Sequence, residues 1–247
     1  MSEAKIRLYV EHPLAQGQAF PLTSDQEHYL FAVMRQSLGA LLLVFNGRDG
    51  EWLCEVLEVG KKGGLVVATS QTQPLMLPPD LWMLFAPIKK ARTDFIVEKA
   101  AEMGVRRICP VQTQYTNAVR LREDRLQAHV LEASEQCGAT FVPQVAELVP
   151  LPKLLASWPE DRNILWCDES LARAPNQAAP RPSHGLGAPW AILIGPEGGF
   201  SPTEKARLLA MPQALPVRLG PRILRADTAA VAALTLWQIR YGDWTGL

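Results

Sequence analysis

Two stretches of the chain place glycines, a proline and ionisable side chains where a ligand could be held: IGPEGGFSPTE at 194–204 and LGPRILRAD at 219–227. In the first, Trp190 to Ile194 reads as a short buried strand, branched-aliphatic and bounded by turn residues. Ser201-Pro202-Thr203-Glu204 then fits a capping box, with Ser201 as N-cap, Pro202 at the first helical position and Glu204 reaching back. The stretch is therefore strand, tight loop, helix. Glycines in such a loop let backbone N–H groups approach a ligand at a helix start, where those groups lack internal partners. The competing reading is a loop that only turns a corner, and a short glycine motif alone does not separate the two. The second stretch repeats the design between the strand LPVRLG and the helix TAAVAALTLWQIRYG. Ligands of open α/β sheets bind outside the carboxyl ends of the strands, so both loops could border one pocket.

Signatures of other chemistries are missing. There is no G-x-x-x-x-G-K-[ST], and the nearest approach to G-x-G-x-x-G, at Gly185-Leu186-Gly187, lies in a proline-rich loop and not after a strand. No G-x-S-x-G occurs. The four histidines, His12, His28, His129 and His184, are scattered without ligand or triad spacing, so no metal site is expected. The four cysteines, Cys54, Cys109, Cys137 and Cys167, form no C-x-x-C pair and read as buried free thiols of a reducing cytoplasm.

Composition narrows the class further. The chain has 247 residues, 48% of them hydrophobic and 20% charged, which is ordinary for a globular protein of one large or two modest domains. No apolar run approaches the roughly 18 residues of a membrane span, and MSEAKIRLYVEHPLAQGQ lacks the apolar core of a secretory signal. Net charge is zero, which argues against indiscriminate coating of nucleic acid. Its distribution is less even: Lys89 to Arg125 holds nine Lys or Arg against five Asp or Glu. Such a run is either a solvated face or a selective phosphate-contacting surface.

The elements that must position these residues fall into two styles. ALLLVFNGRDGEWLCEVLEVGKKGGLVVATS reads as three strands joined by two turns, preceded by a short helix with Ser24 as N-cap and Gly39 near its end. A small barrel-like domain over 1–72 is expected, with QTQPLMLPPD as the break. Over 73–247 strands alternate with helices: LWMLFAPI, TDFIVEKAAEMG, VRRICPV, LREDRLQAHVLEASEQCG, NILWCDE and WAILIG. The first helix is expected to bury Phe95, Ile96, Ala100 and Met103, the second Leu126, Val130, Ala133 and Cys137. This order predicts a mainly parallel sheet covered on both faces, with an Ala/Pro-rich surface loop over 174–189.

IGPEGGFSPTE followed by LGPRILRADTA resembles the paired signature of the SPOUT methyltransferases that modify N3 of a uridine in small-subunit ribosomal RNA. KKARTDFIVEKAAEMGV and ASEQCGATFVPQV are similar to that family's helix segments, and GALLLVFNGRDGEW is similar to its PUA-like RNA-binding domain. The resemblance spans most of the chain; it departs at Ala226-Asp227, where many relatives have Thr-Glu.

The resemblance implies an α/β methyltransferase domain with a deep trefoil knot, a rare exception to unknotted topology. It implies S-adenosylmethionine bent in the knot, with Gly195, Glu197, Gly198 and Gly199 on one wall and Leu219, Gly220, Ile223, Leu224 and Arg225 on the other. Methylation at N3 expels a proton and spreads negative charge onto the flanking carbonyl oxygens, where a cation would stabilise it. Arg225 is the first candidate and Arg222 the second; the alternative for each is a salt bridge with Asp227 or another carboxylate. The base is open between water, Asp227 and the RNA. The target uridine must be unpaired or flipped out. RNA phosphates would meet Lys89, Lys90, Arg92, Arg120, Arg122 and Arg125, with Arg35 and Arg48 of the N-terminal domain adding surface. The resemblance further implies a cytoplasmic homodimer acting on the small ribosomal subunit. Two alternatives remain: the same fold acting on transfer RNA or another ribosomal position, or a non-catalytic RNA-binding assembly factor on this scaffold.

Overall fold

The computed structural model describes residues 4–60, 63–117, 120–173 and 187–244. The Lys61-Lys62 turn, His184, Gly185 and most of the Ala/Pro-rich loop, 174–186, lie outside the described residues. The chain divides into two compact units, residues 1–77 with 134–142, and residues 78–133 with 143–247.

The first unit is a five-stranded mixed sheet in the order β1-β3-β4-β5-β2. Its strands are β1 (Arg7–Tyr9), β2 (Ala19–Pro21), β3 (Leu41–Phe45), β4 (Glu51–Glu58) and β5 (Leu65–Gln73). The three strands read from the turn signals pair antiparallel. Strand β1, only three residues long, lies parallel to β3. Alternation sends Leu42, Val44, Cys54, Val56, Val66 and Ala68 into one core. Helix α1 (Ser24–Glu27) continues as a π-helical turn over His28–Val33. Its cap is Thr23, one residue before the Ser24 expected from sequence: Thr23 Oγ1 accepts from the Gln26 amide while the Gln26 side chain accepts from the Thr23 amide. Residues 134–142 are tied to β1. Arg7 donates to the carbonyls of Ser134 and Ala139, each at 2.6 Å, and pairs with Glu51 at 2.6 Å. The Tyr9 amide donates to Glu135 Oε1 at 2.8 Å.

The second unit is an α/β sheet of seven strands: β6 (Leu81–Phe85), β7 (Arg107–Gln112), β8 (Gln144–Val145), β9 (Val149–Pro150), β10 (Asn163–Cys167), β11 (Trp190–Ile194) and β12 (Ala214–Val217). The order is β12-β10-β11-β6-β7-β8 with β9 also on β7, and every pairing is parallel. The helices are α2 (Lys90–Glu102), α3 (Glu123–Cys137), α4 (Leu151–Ala156), α5 (Pro202–Leu209) and α6 (Ala226–Tyr241). Strand β11 is buried at all five positions, as its unbroken apolar run requires.

Two helix faces differ from their expected ones. Ile96, Ala100 and Met103 are buried as expected, but Phe95 is 39% exposed, and Thr93, Val97 and Ala101 complete the buried face of α2. Leu126, Val130 and Ala133 of α3 are buried as expected, but Cys137 is exposed, because the helix ends there and Gly138 turns the chain at φ 77°. Cys54 and Cys109 are buried, and desolvation pushes their thiols up to about 12 and about 11. Among the described residues no helix is long and apolar enough to cross a membrane.

Candidate active site

Strand β10 precedes both β11 and β12 in the chain yet lies between them. Register then fixes the site. Cys167 stands opposite Ile194 of β11 on one side and Val217 of β12 on the other, so the three strands end level. The loops that follow them must converge, as the rule for open sheets requires at a switch in strand order. They enclose a cavity of about 300 Å³.

Gly195, Glu197, Gly199, Leu219, Gly220, Arg222, Ile223, Leu224 and Arg225 all line this cavity. Gly198 does not; a side chain there would meet Tyr115 at 3.3 Å. The glycines have separate reasons. Gly199 sits at φ 66°, and a Cβ on it would fall 2.6 Å from Glu169 Oε1. Gly195 approaches the Phe200 ring, where a Cβ would stand at 2.9 Å. A Cβ on Gly220, at φ 134°, would meet no atom of the described residues within 4 Å, so space is open beside its backbone. The capping box forms as read. Ser201 Oγ accepts from the Glu204 amide at 3.3 Å and Glu204 Oε2 from the Ser201 amide at 2.9 Å. The other Glu204 oxygen accepts from the Gln114 amide at 2.8 Å, pinning the loop to the end of β7.

Arg222 and Arg225 are exposed, and neither has a side-chain partner among the described residues. The carboxylate that could have neutralised Arg225 is engaged elsewhere: Asp227 Oδ2 lies 3.6 Å from Arg92 Nε. The same guanidinium donates to Glu197 Oε1 at 2.6 Å. Arg92, from α2, thus bridges the loop after β11 to the start of α6.

The remaining basic candidates separate. Lys89, Lys90 and Arg120 are exposed, Arg122 pairs with Asp124 at 2.7 Å, and half-buried Arg125 pairs with Asp94 at 2.7 Å. In the first unit Arg48 is exposed and donates to the Glu11 carbonyl at 2.8 Å. Arg35 is exposed at φ 54°, the one non-glycine in the left-handed region among the described residues.

Three further lining residues, Cys167, Asp168 and Glu169, come from the end of β10. No motif marks them; the available signal is their place at the carboxyl end of a parallel strand. Asp168 is spoken for by Lys205 at 2.8 Å and by the Ser170 amide at 3.0 Å. Burial would raise its carboxyl, but these contacts outweigh burial and hold it below the usual carboxylate range. Burial pushes the Cys167 thiol up.

The parallel sheet with two glycine loops closing on one cavity lies within the stretch that a family model of RNA methyltransferase domains matches, and that makes the class an RNA methyltransferase. The RNA methyltransferase domain model matches residues 76–238, and the RNA methyltransferase PUA domain model matches residues 22–68. The chain is 30% identical to ribosomal RNA small subunit methyltransferase E of Synechocystis sp., over 86% of this chain and 70% of that protein. It is 28% identical to the enzyme of the same name from Rickettsia conorii, over 92% and 93%. A crystal structure of ribosomal RNA small subunit methyltransferase E from Neisseria gonorrhoeae bound to S-adenosyl methionine superposes with TM-score 0.82 at 26% identity, covering 97% of this chain and 99% of that one. The chain belongs to this RNA methyltransferase family, in company with the proteins named ribosomal RNA small subunit methyltransferase E.

Proposed function

We propose that this protein transfers the methyl group of S-adenosylmethionine to N3 of a uridine in the 16S RNA of the small ribosomal subunit. The observation that carries the reading is the cavity at the ends of β10, β11 and β12, lined by Arg222 and Arg225, neither of which has a side-chain partner among the described residues. The cavity suits the cofactor: Ile194, Val217, Leu219 and Leu224 offer an apolar wall for a purine, and the open space beside Gly220 admits a ligand against backbone. When bound, S-adenosylmethionine supplies a methyl group made electrophilic by the sulfonium. The family relatives and the Neisseria structure support the same choice of cofactor and RNA class.

In this reading Arg225 is the cation that stabilises charge developing on the uracil carbonyls as N3 loses its proton, with Arg222 as the second candidate on the same cavity. Gly195, Glu197, Gly199, Leu219, Gly220, Ile223 and Leu224 hold the cofactor. Gly198 acts from outside, keeping room for Tyr115. Lys89, Lys90, Arg120 and Arg122 meet RNA phosphates. The N-terminal domain, with Arg35 and Arg48, is a PUA-like RNA-binding module. A trefoil knot fits a sheet in which β10 is flanked by two strands that follow it in the chain. Helix α6 exposes Leu236 at 45% and Ile239 at 49% while burying Ala230, Ala233 and Trp237 on its other side, which fits a homodimer interface. The setting is the cytoplasm.

The test is methyl-labelled cofactor with small subunits from cells lacking the gene, followed by nucleoside identification. Label in 3-methyluridine of the 16S RNA is expected. Label in transfer RNA instead overturns the substrate, and no cofactor binding overturns the enzyme.

A further inference from the structure

Three carboxylates border the cavity, and their partners set them apart. Asp168 is paired with Lys205, and Glu197 with Arg92. Glu169 has no hydrogen-bond or ion-pair partner among the described residues, although it lines the cavity and its Oε1 lies against the Gly199 backbone. It stands on the wall formed by β10, while Arg222 and Arg225 come from the loop after β12. The cavity is therefore bordered by one unneutralised anion and two unneutralised cations from different strand ends.

We infer that Glu169 is a specificity residue that makes the cavity favour the cationic cofactor over its neutral thioether product. This rests on the proposed use of S-adenosylmethionine. Cofactor and product share adenine, ribose, ammonium and carboxylate; the charge at sulfur is what separates them. Methyl transfer forms the bond between uridine N3 and the methyl carbon and breaks the sulfur–methyl bond, whose electron pair stays on sulfur and erases its positive charge, while the N3 proton leaves to solvent. An unpaired carboxylate on a cavity of this size attracts the sulfonium through space and loses that attraction once the methyl has gone. Two nearby arginines would repel a sulfonium, so a counter-charge on another wall has a defined task. Glu169 is exposed, and solvent screens its charge, which makes the effect a few-fold discrimination.

Calorimetric titration of the full chain with S-adenosylmethionine and, separately, with S-adenosylhomocysteine tests this in Glu169→Gln, Glu169→Asp and the unaltered protein. In Glu169→Gln the ratio of cofactor to product affinity falls about fivefold, and Glu169→Asp, which keeps the charge, restores most of it. Matching thermal unfolding confirms that the variants are folded. Equal weakening of both ligands, or a ratio changed by less than about twofold, overturns the discrimination while leaving the methyltransferase reading intact. If the unaltered protein binds neither ligand, the proposed function falls and this inference falls with it.

Discussion

At the scale of single residues, Gly199 and Arg225 carry the clearest expectations. An alanine at Gly199 must adopt a left-handed backbone and place its Cβ on Glu169. Gly199→Ala is expected to lose roughly 1–2 kcal/mol of stability through the backbone alone and, in addition, to weaken cofactor binding. Gly138→Ala separates the two effects: φ is 77° but no atom lies within 4 Å of the added Cβ, so denaturant melts should shift while cofactor affinity holds. For Arg225→Ala, single-turnover rates should fall by about 10²–10³, the range for losing a donor to a developing oxyanion, with cofactor affinity nearly unchanged. Equal losses in rate and affinity would make Arg225 a binding residue. The spacing of glycines and arginines was visible in the sequence because turn chemistry is local. Glu169 was not, since nothing in NILWCDE says which strand ends will be its neighbours.

At the scale of elements, the loops depend on clasps from outside themselves. Arg92 ties Glu197 to Asp227, and its side chain is 26% exposed. Such a half-exposed pair contributes at most about 1 kcal/mol, so Arg92→Ala should leave thermal unfolding nearly unchanged and lower cofactor affinity several-fold on the same protein. A matching drop in both would mean α2 itself has loosened. The second clasp, Asp168 to Lys205, has a pH signature. Because the folded carboxyl is held below its usual range, its contribution is present above about pH 4 and is lost as pH falls through the depressed value. Melting temperature should therefore drop faster below about pH 4 in the unaltered protein than in Asp168→Asn; parallel curves would remove Asp168 from the stability of this loop. Long periodic runs such as WAILIG and the Ser201 capping box translated directly into structure. Where local patterns compete, they misled. Thr23 and Ser24 are adjacent cap formers, each with a Gln or Glu three residues on; Gln26 closes the box with Thr23, whereas Glu27 accepts from the Gly64 amide. Phe95 looked like core by type, but the α2 stripe runs through Thr93 and Val97 and leaves the ring to Lys99, whose Nζ lies 5.5 Å from its centroid.

At the scale of the whole molecule, α6 is the element with unfinished business. Its exposed Leu236 and Ile239 form the face assigned to the proposed homodimer, so Leu236→Glu should shift the species seen by analytical ultracentrifugation from that proposed dimer to monomer. A dimer that survives would move the interface elsewhere. The change from closely spaced strands to alternating strands and helices was legible in composition and periodicity. That residues 134–142 rejoin the first unit was not, because no local pattern encodes that Arg7 will seek the carbonyls of Ser134 and Ala139. This return sets an order on biosynthesis. A nascent chain that has emerged only as far as Leu77 holds all five strands of the first sheet, yet Arg7 lacks its acceptors at Ser134, Glu135 and Ala139 until translation has passed Ala139. The N-terminal unit is thus the first to begin folding, yet it is completed only after residues 78–133 of the second unit have been made, and no single stop codon or proteolytic cut releases it free of them.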